Sequence, residues 1–212
     1  MNKLKSILAL SGITGLGFYL AHILLGGILW KSYSHLMQPI SDLTATGAPD
    51  SALLLKLTFA YSACMIFFSL LLLHYCSRNF GRSAFIAASI FLALHVVSLL
   101  YGFFPEDLPG AVASFNGTVH IIITVLIVPL TIASPLFFGK AFLQKPGYQQ
   151  AGRLSITTGI CIFILGGTTA FFYARQLPYF GLLERLNVGV LQAWTLLLCV
   201  MLYNDYRTGL AE

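Results

Sequence analysis

Six stretches of roughly 20 apolar residues, joined by short polar connections, leave this chain few folds to choose from. They run from about 6–30, 53–76, 84–104, 117–139, 154–174 and 183–203. A segment of that length in hydrocarbon has to satisfy its backbone hydrogen bonds within itself, so each run predicts a transmembrane helix. Composition agrees. Of 212 residues, 58% are hydrophobic and 9% charged, against about 25% charged in soluble domains. The connections leave no room for a soluble domain. Residues 1–212 therefore read as a single all-α domain, an integral membrane bundle of six helices.

The first run is expected to be retained. Ser6 to Trp30 exceeds a signal-peptide core of roughly 7–15 residues, and no small-residue cleavage site follows it. Basic residues set the orientation. Lys3, Lys5, Arg78, Arg82, Lys140, Lys145, Arg153 and Arg207 fall at the terminal side, whereas Lys31, Lys56, Arg175 and Arg185 fall on the other. Eight against four predicts both termini in the cytoplasm. The net charge of +5 is then a topology signal. No basic stripe with interleaved aromatics occurs, so nucleic acid is not an expected partner. The expected setting is the cell's cytoplasmic membrane, with membrane lipids as the partners.

Between the first two spans lies Ser34-His35-Leu36-Met37-Gln38-Pro39-Ile40-Ser41-Asp42-Leu43-Thr44-Ala45-Thr46-Gly47-Ala48-Pro49-Asp50. Pro39, Gly47 and Pro49 break any helix through it, so it forms turns. The topology places it on the extracytoplasmic face, together with Glu106 and Asp107, with His120 one turn inside the fourth span, and with Glu184, Arg185 and Asn187 opening the sixth. Arg185, Gly189 and Gln192 share one helical face, so a polar track can run inward. Polar groups at this depth are expected to face the bundle interior and pair with one another. Two readings stand side by side. Either these groups cap helices and form ion pairs, such as Arg185 with Asp42 or Asp107, or they line a pocket for a lipid head group or small solute. The pocket's expected lining is His35, Gln38, Glu106, Asp107, Glu184, Arg185 and Asn187.

Catalysis in such a pocket has two chemically sensible forms. Ser41 is a candidate nucleophile with His120 as base and Asp42 as its orienting acid. A zinc ion would draw on His35, His120 and Asp107 or Asp42. No metal is expected as the first reading. His22 and His95 near mid-membrane raise bis-histidine haem ligation, but interhelical hydrogen bonding explains them more simply. Cys64, Cys76, Cys161 and Cys199 lie in or at span ends without a C-x-x-C spacing, which predicts buried thiols. Nucleotide-binding and standard hydrolase motifs are absent. Pro129 and Pro135 predict a kinked or broken fourth span.

Pro39-Ile40-Ser41-Asp42 with Gly47 and Pro49, Phe104-Pro105-Glu106-Asp107, Gly117-Thr118-Val119-His120 and Gly181-Leu182-Leu183-Glu184-Arg185-Leu186-Asn187 resemble the motifs of a six-span bacterial membrane family catalogued only as a domain of unknown function. The first-loop pattern is more distantly similar to DRAM/Frag-type and Sfk-type membrane proteins. That likeness implies a connection to outer-leaflet lipid and no particular reaction. The expected function is lipid head-group binding or remodelling. A metal-dependent membrane hydrolase, a non-catalytic assembly or scaffold protein and a small-solute transporter are the alternatives.

Overall fold

The computed structural model describes residues 2–209, with side chains from Leu4 onward. The Lys3 charge used for orientation lies outside the described side chains. The chain forms α1 (Asn2–Ala9), α2 (Ser11–Leu29), α3 (Ser51–Asn79), α4 (Arg82–Leu99), α5 (Phe115–Leu143), α6 (Gln149–Ala174) and α7 (Phe180–Thr208). Short 3-10 turns occupy Ser41–Thr44 and Leu100–Gly102. Among the described residues, six helices are long and apolar enough to cross a membrane, α1 and α2 together supplying the first. The protein is an all-helical, multi-pass membrane protein.

Helices outrun the apolar runs that announce them. α3 continues through Ser77, Arg78 and Asn79, and α7 through Asp205 and Arg207. Apolarity marks the hydrocarbon, whereas the helix continues into the polar interface. Of the two outcomes expected for the fourth span, a kink or a break, the break does not occur: α5 runs unbroken through both Pro129 and Pro135. Pro135 is buried, and α4 and α6 flank α5 on either side. Neighbouring helices of this kind let a membrane helix absorb a proline without ending.

Sequential helices pack side by side, α2 on α3, α3 on α4, α4 on α5, α5 on α6 and α6 on α7, and α1 closes the ring against α7. Because the spans alternate in direction, both termini lie at one end, here the terminal end. The opposite end carries Asp42 and is called the polar end. Phe68, Phe91, Phe138, Phe142 and Trp194 fill the centre, with Phe91 5.8 Å and Phe138 5.7 Å from Trp194 between ring centroids. Small residues set the tightest seam. A Cβ on Gly152 would sit 2.8 Å from the Leu143 backbone nitrogen, and one on Gly139 3.0 Å from the Gly152 carbonyl oxygen. In lipid, close backbone approach of this kind replaces the hydrophobic drive as the source of helix association.

Candidate functional site

The first loop is folded by its own side chains before it meets anything else. Tyr33 Oη donates to the Pro39 carbonyl at 2.6 Å, Ser34 N–H donates to Gln38 Oε1 at 2.9 Å, and Gln38 Nε2 donates to Asp42 Oδ2 at 3.2 Å. Leu43 and Leu54 pack with Tyr33 beneath this turn, and Asp42 itself is 1% exposed. Gly47 takes a left-handed φ of +84°, which lets the chain reverse toward α3. The loop is then stitched to its neighbours. Thr46 N–H donates to the Glu106 carbonyl at 2.9 Å within an isolated parallel bridge between Thr46 and Asp107. Ile40 N–H donates to Glu184 Oε2 at 2.6 Å.

Arg185 is the brace. Its Nη1 donates to the Gln38 and Gly181 carbonyls, each at 2.8 Å, and its Nη2 donates to Tyr33 Oη. Its guanidinium also lies 5.5 Å from the Tyr33 ring centroid. The sequence expectation that Arg185 pairs with Asp42 or Asp107 is corrected: its hydrogen bonds go to neutral oxygens. A fork of several N–H donors suits two carbonyls and a phenol together better than an ammonium would. The Nε is buried without a protein partner.

Asp107 is occupied by structure. Its carboxylate accepts from Ser114 N–H at 2.8 Å and Ser114 Oγ at 2.7 Å, and Ser114 Oγ in turn accepts from Gly117 N–H at 3.0 Å. That arrangement is an N-terminal cap on α5. It also explains Gly117, since a Cβ there would sit 2.0 Å from Asp107 Oδ2. The two Ser114 hydrogen bonds hold the Asp107 carboxyl below its ordinary range.

Glu106, Asp42 and His120 form the chemically open part. His120 is 8% exposed, its ring 4.5 Å from that of Tyr101. Its Nδ1 lies 2.9 Å from the Phe104 carbonyl, which only accepts, so Nδ1 carries the proton and Nε2 keeps a lone pair. That Nε2 is 3.6 Å from Glu106 Oε2. Glu106 also meets the Asp42 carboxyl and the Ser41 hydroxyl, with Glu184 nearby. Burial first, and then the Asp42 carboxylate, push Glu106 up to about 8, while Ser41 pulls it down. Glu106 therefore keeps its proton at neutral pH.

The Glu106 shift has a pH consequence. Its folded value of about 8 lies above the ordinary 4.5. The stability contributed by its proton is therefore fully present below about 4.5 and lost as pH rises through about 8. Between pH 6 and pH 9 the protein should lose about 2 kcal/mol, a fall of roughly 5 °C in melting temperature for a chain of this size. Glu106→Gln cannot ionise and should flatten the slope. An equal slope in wild type and variant, read by thermal unfolding in detergent, would reject the buried proton on Glu106.

His35 and Asn187 sit apart from that triad, whereas Ser41 adjoins it. His35 packs edge-on to Tyr33 at 5.2 Å and its Nε2 fills the space where Gly27 lacks a Cβ. Burial and then the Arg185 charge push His35 down. Its surroundings are Gly27, Tyr33 and Arg185, whereas those of His120 are Tyr101, Phe104 and Glu106. Ser41 faces Glu106. Among the described residues no three His, Cys, Asp or Glu side chains converge as a metal-holding set. Asn187, about one turn below Glu184 on α7, lines a largely apolar groove of about 590 Å³ with Thr131, Ile162, Gly166 and Phe171, and its Oδ1 has no protein partner.

A second polar cluster, at the terminal end, was not anticipated. Asp205 accepts hydrogen bonds from Tyr75 Oη and, at 2.9 Å, from Tyr148 Oη. Lys145 Nζ donates to the Asn79 carbonyl and lies 4.5 Å over the Phe80 ring. One signal pointed there: an acidic residue in the last turn of a helix opposes the helix dipole and needs another reason to be present.

No curated protein and no solved structure matches the chain. Residues 13–201 match a family described as a protein of unknown function, DUF998. The match does not show the more distant likeness to DRAM/Frag-type and Sfk-type proteins. The match spans all six membrane helices and every residue of the polar-end cluster, and the chain belongs to that family.

Proposed function

We propose that this protein binds, and on binding remodels, membrane lipid through the polar-end cluster, with that end on the extracytoplasmic side of the cytoplasmic membrane. The observation that carries the reading is the Glu106 carboxyl lying beside that of Asp42 and within the field of Glu184, three acidic side chains from three segments far apart in sequence. Membrane proteins bury such groups only where they pair or serve a site. Arg185 is already committed to Gln38, Gly181 and Tyr33. The cluster is therefore acid-rich and suits an ammonium-bearing head group better than an anionic one. The groove past Asn187 supplies a neighbouring apolar slot for an acyl chain. The unprotonated Nε2 of His120 beside Glu106 gives the pair a base and an acid for moving a proton on a head-group hydroxyl or amine. The lean of basic residues toward the terminal side supports the orientation.

Native mass spectrometry of the protein released from bilayers containing equal phosphatidylethanolamine and phosphatidylglycerol tests this. Wild type should retain the ethanolamine lipid about tenfold over the glycerol lipid, a difference of about 1.4 kcal/mol. Asp42→Asn should lose the preference, whereas Glu106→Gln should keep it. Equal retention of both lipids by wild type, or a preference that survives in Asp42→Asn, would sink the proposal.

A further inference from the structure

The connection from α4 to α5 ends in a finger that the rest of the fold leaves uncovered. From Leu108 to Val119 it holds no ionisable side chain, and Pro109 to Ala113 are all exposed. Val112, at 92%, is the most exposed large apolar side chain among the described residues, and Phe115 is 76% exposed. The other polar-end connections are built differently. The first loop buries Ile40, Leu43, Ala45 and Ala48, and the link between α6 and α7 carries the Arg175 charge.

The finger has internal order. Ala111 N–H donates to the Leu108 carbonyl at 3.0 Å, with Pro109 and Gly110 between them and Gly110 at a φ of +84°. That is the pattern of a type II turn, in which proline presets the first corner and glycine takes the left-handed second one. At the base, the Asp107 carboxylate accepts from both the backbone N–H and the hydroxyl of Ser114. The Thr46–Asp107 bridge ties the same point to the first loop. A braced base and a preformed turn therefore hold an uncharged tip away from the protein. Apolar side chains held in water are costly, and a contiguous exposed group of them marks a surface that something else covers.

Continuity says what covers it. Phe115, Ile122 and Leu126 share one face of α5 and are 76%, 54% and 53% exposed. Ile122 and Leu126 lie well inside a helix that crosses the membrane, so this face meets acyl chains, and the finger prolongs it past the first residue of α5. Phe103, just beyond the polar-end limit of the third span, adds another exposed ring. Depth is limited by the backbone. The tip is neither helix nor strand, and such backbone keeps its polar groups out of hydrocarbon. It therefore halts at the level of head groups and ester carbonyls, from which only side chains reach farther.

We propose that the finger between α4 and α5 is an interfacial anchor, seated in the lipid leaflet at the polar end with Val112 and Phe115 against the upper acyl chains. Asp107 and Ser114 form its base, so the anchor sets the head-group plane at the level of Glu106, the neighbouring residue in the chain. The proposal is one of lipid contact and is independent of the head-group reading.

Val112 makes the test direct, because at 92% exposure a replacement there disturbs no packing. The natural tryptophans are Trp30 and Trp194. Trp30→Phe removes the one at the polar end, and the emission of that variant serves as the baseline. Val112→Trp in the same background, in nanodiscs, should add emission to the blue of tryptophan in water. Phosphatidylcholine brominated near the glycerol end of its chains should quench the added emission about twofold more than lipid brominated near the methyl end, as for a side chain at the head-group boundary. Phe115→Trp should give the same result from the other side of the finger. Added emission at the wavelength of tryptophan in water, quenched by aqueous iodide and by neither bromolipid, overturns the proposal. So does blue-shifted emission indifferent to both bromolipids, because the tip is then covered by protein. Equal quenching by the two bromolipids overturns it as well.

Discussion

Arg185→Met should destabilise the protein by about 3 kcal/mol and abolish its accumulation in the membrane. The side chain holds three acceptors at once, the Gln38 and Gly181 carbonyls and Tyr33 Oη, and so ties the first loop to the start of α7. Hydrogen bonds from a charged donor contribute roughly 1.5–3 kcal/mol each, and the three are not additive. Methionine fills similar volume, so the loss is one of bonding rather than of packing. Its removal also leaves Glu184, which holds Ile40 N–H at 2.6 Å, without its neighbouring cation. Arg185→Lys should recover less than half of the loss, because an ammonium on a single nitrogen cannot span two carbonyls and a phenol as the two Nη groups do. Thermal unfolding of both variants in one detergent decides it. A lysine variant as stable as wild type would mean that charge, not the fork, is what the loop needs.

Arg185 also shows where sequence reading stops. Its position at a span boundary marked it as a group that must find partners, and Asp42 was the natural one by charge. The actual partners are a phenol and two backbone carbonyls, which no sequence pattern distinguishes from any others. The six spans were legible because hydrocarbon imposes a length of about 20 apolar residues on any helix that crosses it. The polar end was legible in kind, since Pro39, Gly47 and Pro49 allow nothing but turns. The grouping of Asp42 with Glu106 and His120, rather than with His35, depends on how loops from different helices lie across one another. The prolines of α5 end no helix for a related reason. Local propensity argues for a break, and packing between α4 and α6 overrides it.

The terminal-end cluster carries the other large expected effect. Asp205→Ala should cost about 3 kcal/mol. Asp205 is 7% exposed and Tyr75 1% exposed, and the carboxylate is the acceptor for both tyrosine hydroxyls. Burial pushes the Tyr148 phenol up, so it remains a donor at every pH the protein meets. Without Asp205 the two hydroxyls keep only their mutual contact at 3.2 Å, in which one donates and the other's proton goes unused. An unsatisfied buried donor costs roughly 1–3 kcal/mol, and the deleted carboxylate leaves a void beside Tyr206. Asp205→Asn retains one acceptor oxygen and should cost about 1 kcal/mol. Tyr75→Phe combined with Asp205→Ala should be less damaging than the sum of the two, because each removes the other's unmet partner. Measured additivity of the two substitutions would show that Asp205 is held by something other than these phenols.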